Sequence, residues 1–213
     1  MESTSRHQCM IYSGSPERHL QALASIARQK LEANTRCLYL HNPSMVNSMR
    51  AALEAAGVNV AQELERGALS LSSAQDHLVD GRFDIDGMLQ MLKDTVDTAL
   101  SDGFDGVWAS GDMAWEFGSE KNFARLLEYE HRLEDLFERL PALAGVCQYN
   151  AHTLPQEAIQ WGLCTHRAIF INETLSRVNP HYAPVNLLTR SRLTIPHSDL
   201  EDLLARPPLA VPA

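Results

Sequence analysis

Short runs of strand-forming residues alternate with amphipathic stretches from residue 8 to residue 172, and this alternation constrains the fold of the 213-residue chain more than any other feature. The strand runs are 8–12 (QCMIY), 36–41 (RCLYLH), 105–112, 144–149 (AGVCQY) and 168–172 (AIFIN), with weaker candidates at 58–60 and 68–72. Between them apolar residues recur every three or four positions. Leu20, Leu23, Ala24, Ala27 and Leu31 predict a helix over about 17–33, and Asn42-Pro43-Ser44 starts another that runs to Gly57. Leu89, Leu92, Val96, Ala99 and Leu100 predict a helix over about 85–101, Phe123 to Phe137 an apolar face on a charged helix over about 120–139, and 155–163 a short one. Strands and helices in this order predict an α/β domain with a mainly parallel sheet, helices on both faces and right-handed crossovers.

Composition narrows the class. Hydrophobic residues make up 45% and charged residues 21%, an ordinary globular balance. The 18 basic against 27 acidic residues leave a net charge of -9, so the surface should repel phosphate polyanions and anionic lipid, and neither nucleic-acid nor membrane binding is expected. Four cysteines, at 9, 37, 147 and 164, are too few and too scattered for a disulfide framework and read as reduced thiols. No run approaches 18 apolar residues and the first residues carry no apolar signal segment, so the expected compartment is the cytoplasm. Prolines at 180, 184, 196, 207, 208 and 212 punctuate the end of the chain. The expected division is an α/β body over 5–185 and a proline-rich tail over 186–213, wrapping the body with one short helix near 198–205.

In such sheets ligands bind beyond the carboxyl ends of the strands. That rule selects the exits at Tyr12-Ser13-Gly14, at 112–116 and after Tyr149. The first exit, SGSPERHL, lacks GxxxxGK[ST] and its lysine, and no GxGxxG, GxSxG or HExxH occurs, so neither a cofactor nor catalysis is expected. Asp112 reads as a turn or ligand-orienting residue. His7 and Cys9 lie two apart on a strand and share a face, and Cys164 and His166 repeat the pair in reverse. The four have zinc-ligand chemistry without zinc-ligand spacing; the competing reading is buried thiols and hydrogen-bonded imidazoles. Cys147 and Tyr149 form a second pair, and with Tyr12, Trp108 and Trp115 they suit a small organic ligand, although Trp108 is expected in the core. Glu116, Glu128 and Glu130 read as a solvated face rather than as paired acid/base carboxylates.

Taken in order, His7-Gln8-Cys9-Met10-Ile11-Tyr12, Gly111-Asp112-Met113-Ala114-Trp115-Glu116, Glu128-Tyr129-Glu130, Cys147-Gln148-Tyr149-Asn150 and Thr165-His166 resemble the MEDS domain. This is the sensory domain named for methanogens, methylotrophs and the dichloromethane-responsive regulator DcmR. The resemblance covers about 5–185 and implies a RecA/KaiC-like three-layer core that lacks a Walker A loop and senses small hydrocarbon derivatives. It implies a ligand site at His7, Cys9, Tyr12, Asp112, Trp115 and Glu116, to which the strand and helix ends add Cys147, Tyr149 and His166. Arg167 stands where the family often has proline. Such domains commonly adjoin a DNA-binding or kinase module, and none is visible in the sequence. The expected output is therefore a partner regulatory protein, a kinase or transcription regulator, with a homodimer a reasonable arrangement, unless the chain is part of a larger regulator. Two alternatives stay open: a metal or redox sensor, or an enzyme, built on His7, Cys9, Cys164 and His166, and a degenerate ATPase-like assembly scaffold.

Overall fold

A computed structural model describes residues 6–14, 16–73, 78–79, 82–113, 123–171, 174–178 and 182. In it β1 (His7–Tyr12) lies inside a sheet, with a parallel partner on either side and side chains buried on both faces. The chain continues through α1 (Pro16–Glu32), β2 (Thr35–His41), α2 (Pro43–Ala55), α3 (Val60–Glu65) and β3 (Leu69–Ser73). A small antiparallel hairpin, β4 (Leu78–Val79) and β5 (Arg82–Phe83), leads into α4 (Ile85–Ser101) and β6 (Gly106–Asp112). Then come α5 (Phe123–Arg139), β7 (Leu143–Asn150), α6 (Gln156–Thr165), β8 (Ala168–Ile171) and β9 (Thr174–Val178).

The main sheet has the order β3-β2-β6-β7-β1-β8-β9. Its first six strands are parallel and β9 closes one edge antiparallel to β8. The chain steps toward one edge through α1, α2 and α3, and toward the other through α4, α5 and α6. Right-handed crossovers send these two sets of helices to opposite faces. Side chains agree: Cys37 of β2 donates its thiol proton to Ala27 O of α1, whereas His7 of β1 reaches Glu134 of α5. The expected fold class, a three-layer α/β core around a mainly parallel sheet, is the one observed.

Most local expectations hold because tertiary burial follows the periodic pattern. Leu20, Leu23, Ala24, Ala27 and Leu31 form the buried stripe of α1, and Met88, Leu92, Val96 and Ala99 that of α4. Trp108 is core. Residues 58–60 are not a strand. Asn59 accepts a hydrogen bond from the Gln62 N–H at 3.2 Å and starts α3, so its capping chemistry overrides the β-branched valines beside it. The hairpin and β9 are additions that the sequence pattern did not announce. Trp115, Glu116 and the tail at 186–213 with its short helix lie outside the described residues. No helix among the described residues is long and apolar enough to cross a membrane.

Candidate functional site

Side chains alternate along a strand, and neighbouring parallel strands keep the same phase. The pairings His7↔Gly145, Cys9↔Cys147 and Ile11↔Tyr149 therefore turn His7, Cys9, Cys147 and Tyr149 to one face, under α5 and α6. Tyr12, paired with Asn150, and Asp112, paired with Gln148, turn to the other face, under α1. The single ligand site expected from the sequence is thus two clusters separated by the thickness of the sheet.

On the α5–α6 face, His7, Glu130, Cys147 and His166 are all buried, and one donor atom from each lies within 4.8 Å of the others. His7 Nε2 is 3.4 Å from Glu130 Oε2 and 3.4 Å from Cys147 Sγ. His166 Nε2 is also 3.4 Å from Glu130 Oε2, and Cys147 Sγ is 3.9 Å from the same oxygen. Each imidazole is oriented from behind. Glu134 Oε2 accepts from His7 Nδ1 at 2.7 Å, and Gly162 O accepts from His166 Nδ1 at 2.8 Å. The second oxygen of Glu130 accepts from the Tyr149 hydroxyl. Phe137 stacks on His7 with centroids 4.6 Å apart.

Two glycines make this packing possible. A Cβ on Gly162 would stand 2.7 Å from the Tyr149 ring, and one on Gly145 would stand 2.5 Å from Ala109 O and 3.1 Å from Phe137. Neither position can carry a side chain without displacing the groups that orient the cluster.

The cluster's charge follows from its partners. Burial alone would depress His7, but hydrogen bonds and charge from Glu130 and Glu134 outweigh it and raise its pKa. Burial and the neighbouring His7 push His166 down to about 4, so His166 is neutral. Glu130 is held below the usual carboxylate range, burial being outweighed by His166, His7 and Tyr149. Burial, together with the Glu130 charge, pushes the Cys9 thiol well up. Cys9 lies beside Cys147 across the strand pair but does not join the four donors, and Cys164 on α6, pushed up to about 11 by burial, does not either. His7 and His166 of the expected metal set thus do meet, ring centroids 4.1 Å apart, but with Glu130 and Cys147.

Glu130 corrects the expectation of a solvated face. None of its side chain is exposed, whereas Glu128 on the same helix is 56% exposed and lies 3.7 Å from Arg132. The sequence carried a signal for this: Leu126, Tyr129, Glu130, Leu133, Glu134 and Phe137 fall on one stripe of α5, so two carboxylates occupy its apolar phase.

On the α1 face the carboxyl tips of four parallel strands come together. Tyr12, His41, Asp112 and Asn150 are the last residues of β1, β2, β6 and β7. Asn42 N–H donates to His41 Nδ1 at 2.8 Å, which leaves the proton on Nε2, 3.3 Å from Asp112 Oδ2. His19 of α1 stacks on Tyr12 with centroids 3.7 Å apart. It is 2% exposed, and neither of its ring nitrogens has a hydrogen-bond partner among the described residues. Burial pushes His19 down to about 4, and burial with the neighbouring His19 pushes His41 down to about 3. The Tyr12 hydroxyl is pushed up by burial and by the Asp112 carboxylate. His19 and His41 escaped the sequence reading because each sits at the margin of an apolar element with no motif around it.

An open groove of about 750 Å³ lies elsewhere, between β2, β3 and α4, and is lined by Arg36, Leu38, Ser70, Met91, Asp94 and Thr95 among others. Several of its polar groups pair outside it or with each other: Arg36 bonds Asp102, Asp94 accepts from Gln90, and Thr95 donates to Met91 O. Size alone does not make it a site, because no titratable set converges on it.

No curated protein matches the chain. Residues 6–167 match the family model described as MEDS, MEthanogen/methylotroph, DcmR Sensory domain, which is most of the chain. The ordered motifs, the parallel sheet and the first-strand exit without a phosphate loop accord with that match, and the chain belongs to the MEDS family of sensory domains.

Proposed function

We propose that the chain is a non-catalytic, cytoplasmic sensory domain that takes a small, largely apolar organic molecule, a hydrocarbon derivative, at the strand tips formed by Tyr12, His41 and Asp112 beside His19 of α1. Occupancy is passed to a partner regulatory protein, a kinase or transcription regulator. The observation that carries this reading is His19, a buried neutral imidazole stacked on Tyr12 with both nitrogens unmatched among the described residues. A buried polar atom without a partner costs about 1–3 kcal/mol. A ligand that lies on the aromatic face and supplies one hydrogen-bonding group offsets that cost. The position agrees with the rule for open α/β sheets, and a few polar handles on an otherwise apolar surface suit a small organic molecule.

Thermal unfolding of the full chain, measured against halomethanes, one-carbon compounds and short aromatic and fatty derivatives, tests the proposal. A ligand at 100 times its Kd should add about 2.7 kcal/mol of stability. The response should disappear in His19→Ala and persist in Glu128→Gln. Absence of any response across the panel overturns the reading, as does a response that His19→Ala leaves intact.

A further inference from the structure

The geometry points to a divalent metal site of the zinc class, ligated by His7 Nε2, Glu130 Oε2, Cys147 Sγ and His166 Nε2 between β1, β7, α5 and the end of α6. This site is independent of the ligand reading at the strand tips, on the opposite face of the sheet.

Three observations carry it. The first is metric. Zinc bonds of about 2.0–2.3 Å in a tetrahedron hold neighbouring donor atoms about 3.3–3.6 Å apart. Four of the six edges here measure 3.4, 3.4, 3.4 and 3.9 Å, and the remaining two are within 4.8 Å. Closing on an ion requires only sub-ångström shifts on most edges.

The second is orientation. Metal-bound histidines nearly always donate their other ring N–H to a carboxylate or a backbone carbonyl, and a ligating carboxylate is itself hydrogen-bonded. Here Glu134 accepts from His7 Nδ1, Gly162 O accepts from His166 Nδ1, and Tyr149 donates to the far oxygen of Glu130. Both Nδ1 atoms are thereby tied off, and both Nε2 atoms are aimed at one point together with an oxygen and a sulfur.

The third is charge and hardness. Two neutral imidazoles, one carboxylate and one thiolate sum to two negative charges, so a divalent ion leaves a neutral buried unit. Nitrogen and sulfur donors disfavour magnesium and calcium and suit zinc and its neighbours. On binding, the Cys147 thiol and the Nε2 position of His7 give up any proton they carry to solvent, and no electron is transferred.

The experiment uses the full chain purified without a metal-affinity column. It is stripped with chelator, reloaded with Zn²⁺ or Co²⁺ alone, and assayed by elemental analysis and absorption. The expected result is one equivalent per chain, with visible bands of tetrahedral cobalt and a near-ultraviolet thiolate charge-transfer band. Cys147→Ser should abolish the charge-transfer band, whereas Cys9→Ser and Cys164→Ser keep it. Glu134→Gln, which leaves the four donors in place but removes the charge behind His7 and its exposed pair with Arg167, should weaken cobalt affinity about 10–100-fold. Folded wild-type chain that takes up no metal overturns the proposal, and so does a thiolate band that follows Cys9 or Cys164 instead of Cys147. If Cys147→Ser does not fold, the wild-type stoichiometry and the Glu134→Gln affinity decide in its place.

Discussion

The two faces of the sheet bury similar residue types and treat them differently. Under α5 and α6, the histidines, carboxylates, thiol and tyrosine orient one another, so that His7, Glu130, Cys147 and His166 converge on one point. Under α1, His19 is stacked and enclosed with its nitrogens unmatched among the described residues, while His41 and Asp112 face each other beside it. A network that supplies its own second contacts suits the proposed fixed ion. A buried imidazole that lacks them suits the proposed ligand from outside. The difference lies at Nδ1, which is hydrogen-bonded from behind in His7 and His166 and has no partner among the described residues in His19.

The largest expected effect comes from breaking the network at its centre. Glu130→Ala removes the carboxylate that faces both His7 and His166 and accepts from Tyr149, and leaves these buried polar groups short of a partner, which should cost about 3–5 kcal/mol in denaturant unfolding. A loss under 1 kcal/mol would mean that the four donors do not act as a unit.

Acid should expose the opposite face. An ordinary imidazole titrates near 6.5, while folded His19 is held down to about 4. Between these values the unfolded chain binds the extra proton and the folded chain does not, so stability falls as pH drops from about 7 to 4.5. His41 and His166, held down to about 3 and 4, add slope of the same sign, whereas His7, raised in the folded state, contributes fully below 6.5 and adds no slope between 6.5 and 4.5. The His19 share is roughly 2–3 kcal/mol. His19→Phe should retain the stack on Tyr12 and flatten the pH dependence by that amount; an unchanged slope contradicts the assignment of a neutral buried His19.

Gly162→Ala should cost about 1–3 kcal/mol through overpacking against Tyr149 and, by moving that ring, should weaken the hold on Glu130. Chemical denaturation and the cobalt spectrum of the variant report the two effects separately. The smallest effect sharpens the contrast within one helix. Glu128→Gln, two residues from Glu130 but exposed, should change stability by less than about 0.5 kcal/mol.

The order of the elements was legible because a parallel sheet covered on both faces needs continuous apolar strands, and each covering helix needs one apolar stripe. His7 and Cys9 on a shared face, and the buried Trp108, followed from period alone. Period could not say which face of the sheet a given pair would share with another strand, because that depends on register across strands distant in sequence. Tyr12 and Cys147 therefore looked like one site and fall on opposite sides. Glu130 was misjudged for a different reason: its helix is rich in Glu and Arg, and net charge masked the fact that Glu130, with Glu134, occupies its apolar phase. The capping Asn59 was similarly outvoted by two valines.

The division of labour between the faces is tested most directly by imidazole nitrogen NMR of the full chain, titrated with a compound that raises its Tm. The account predicts that the ring resonances of His19 and His41 move while those of His7 and His166 stay in place. Movement confined to His7 and His166, with His19 unaffected, would contradict it.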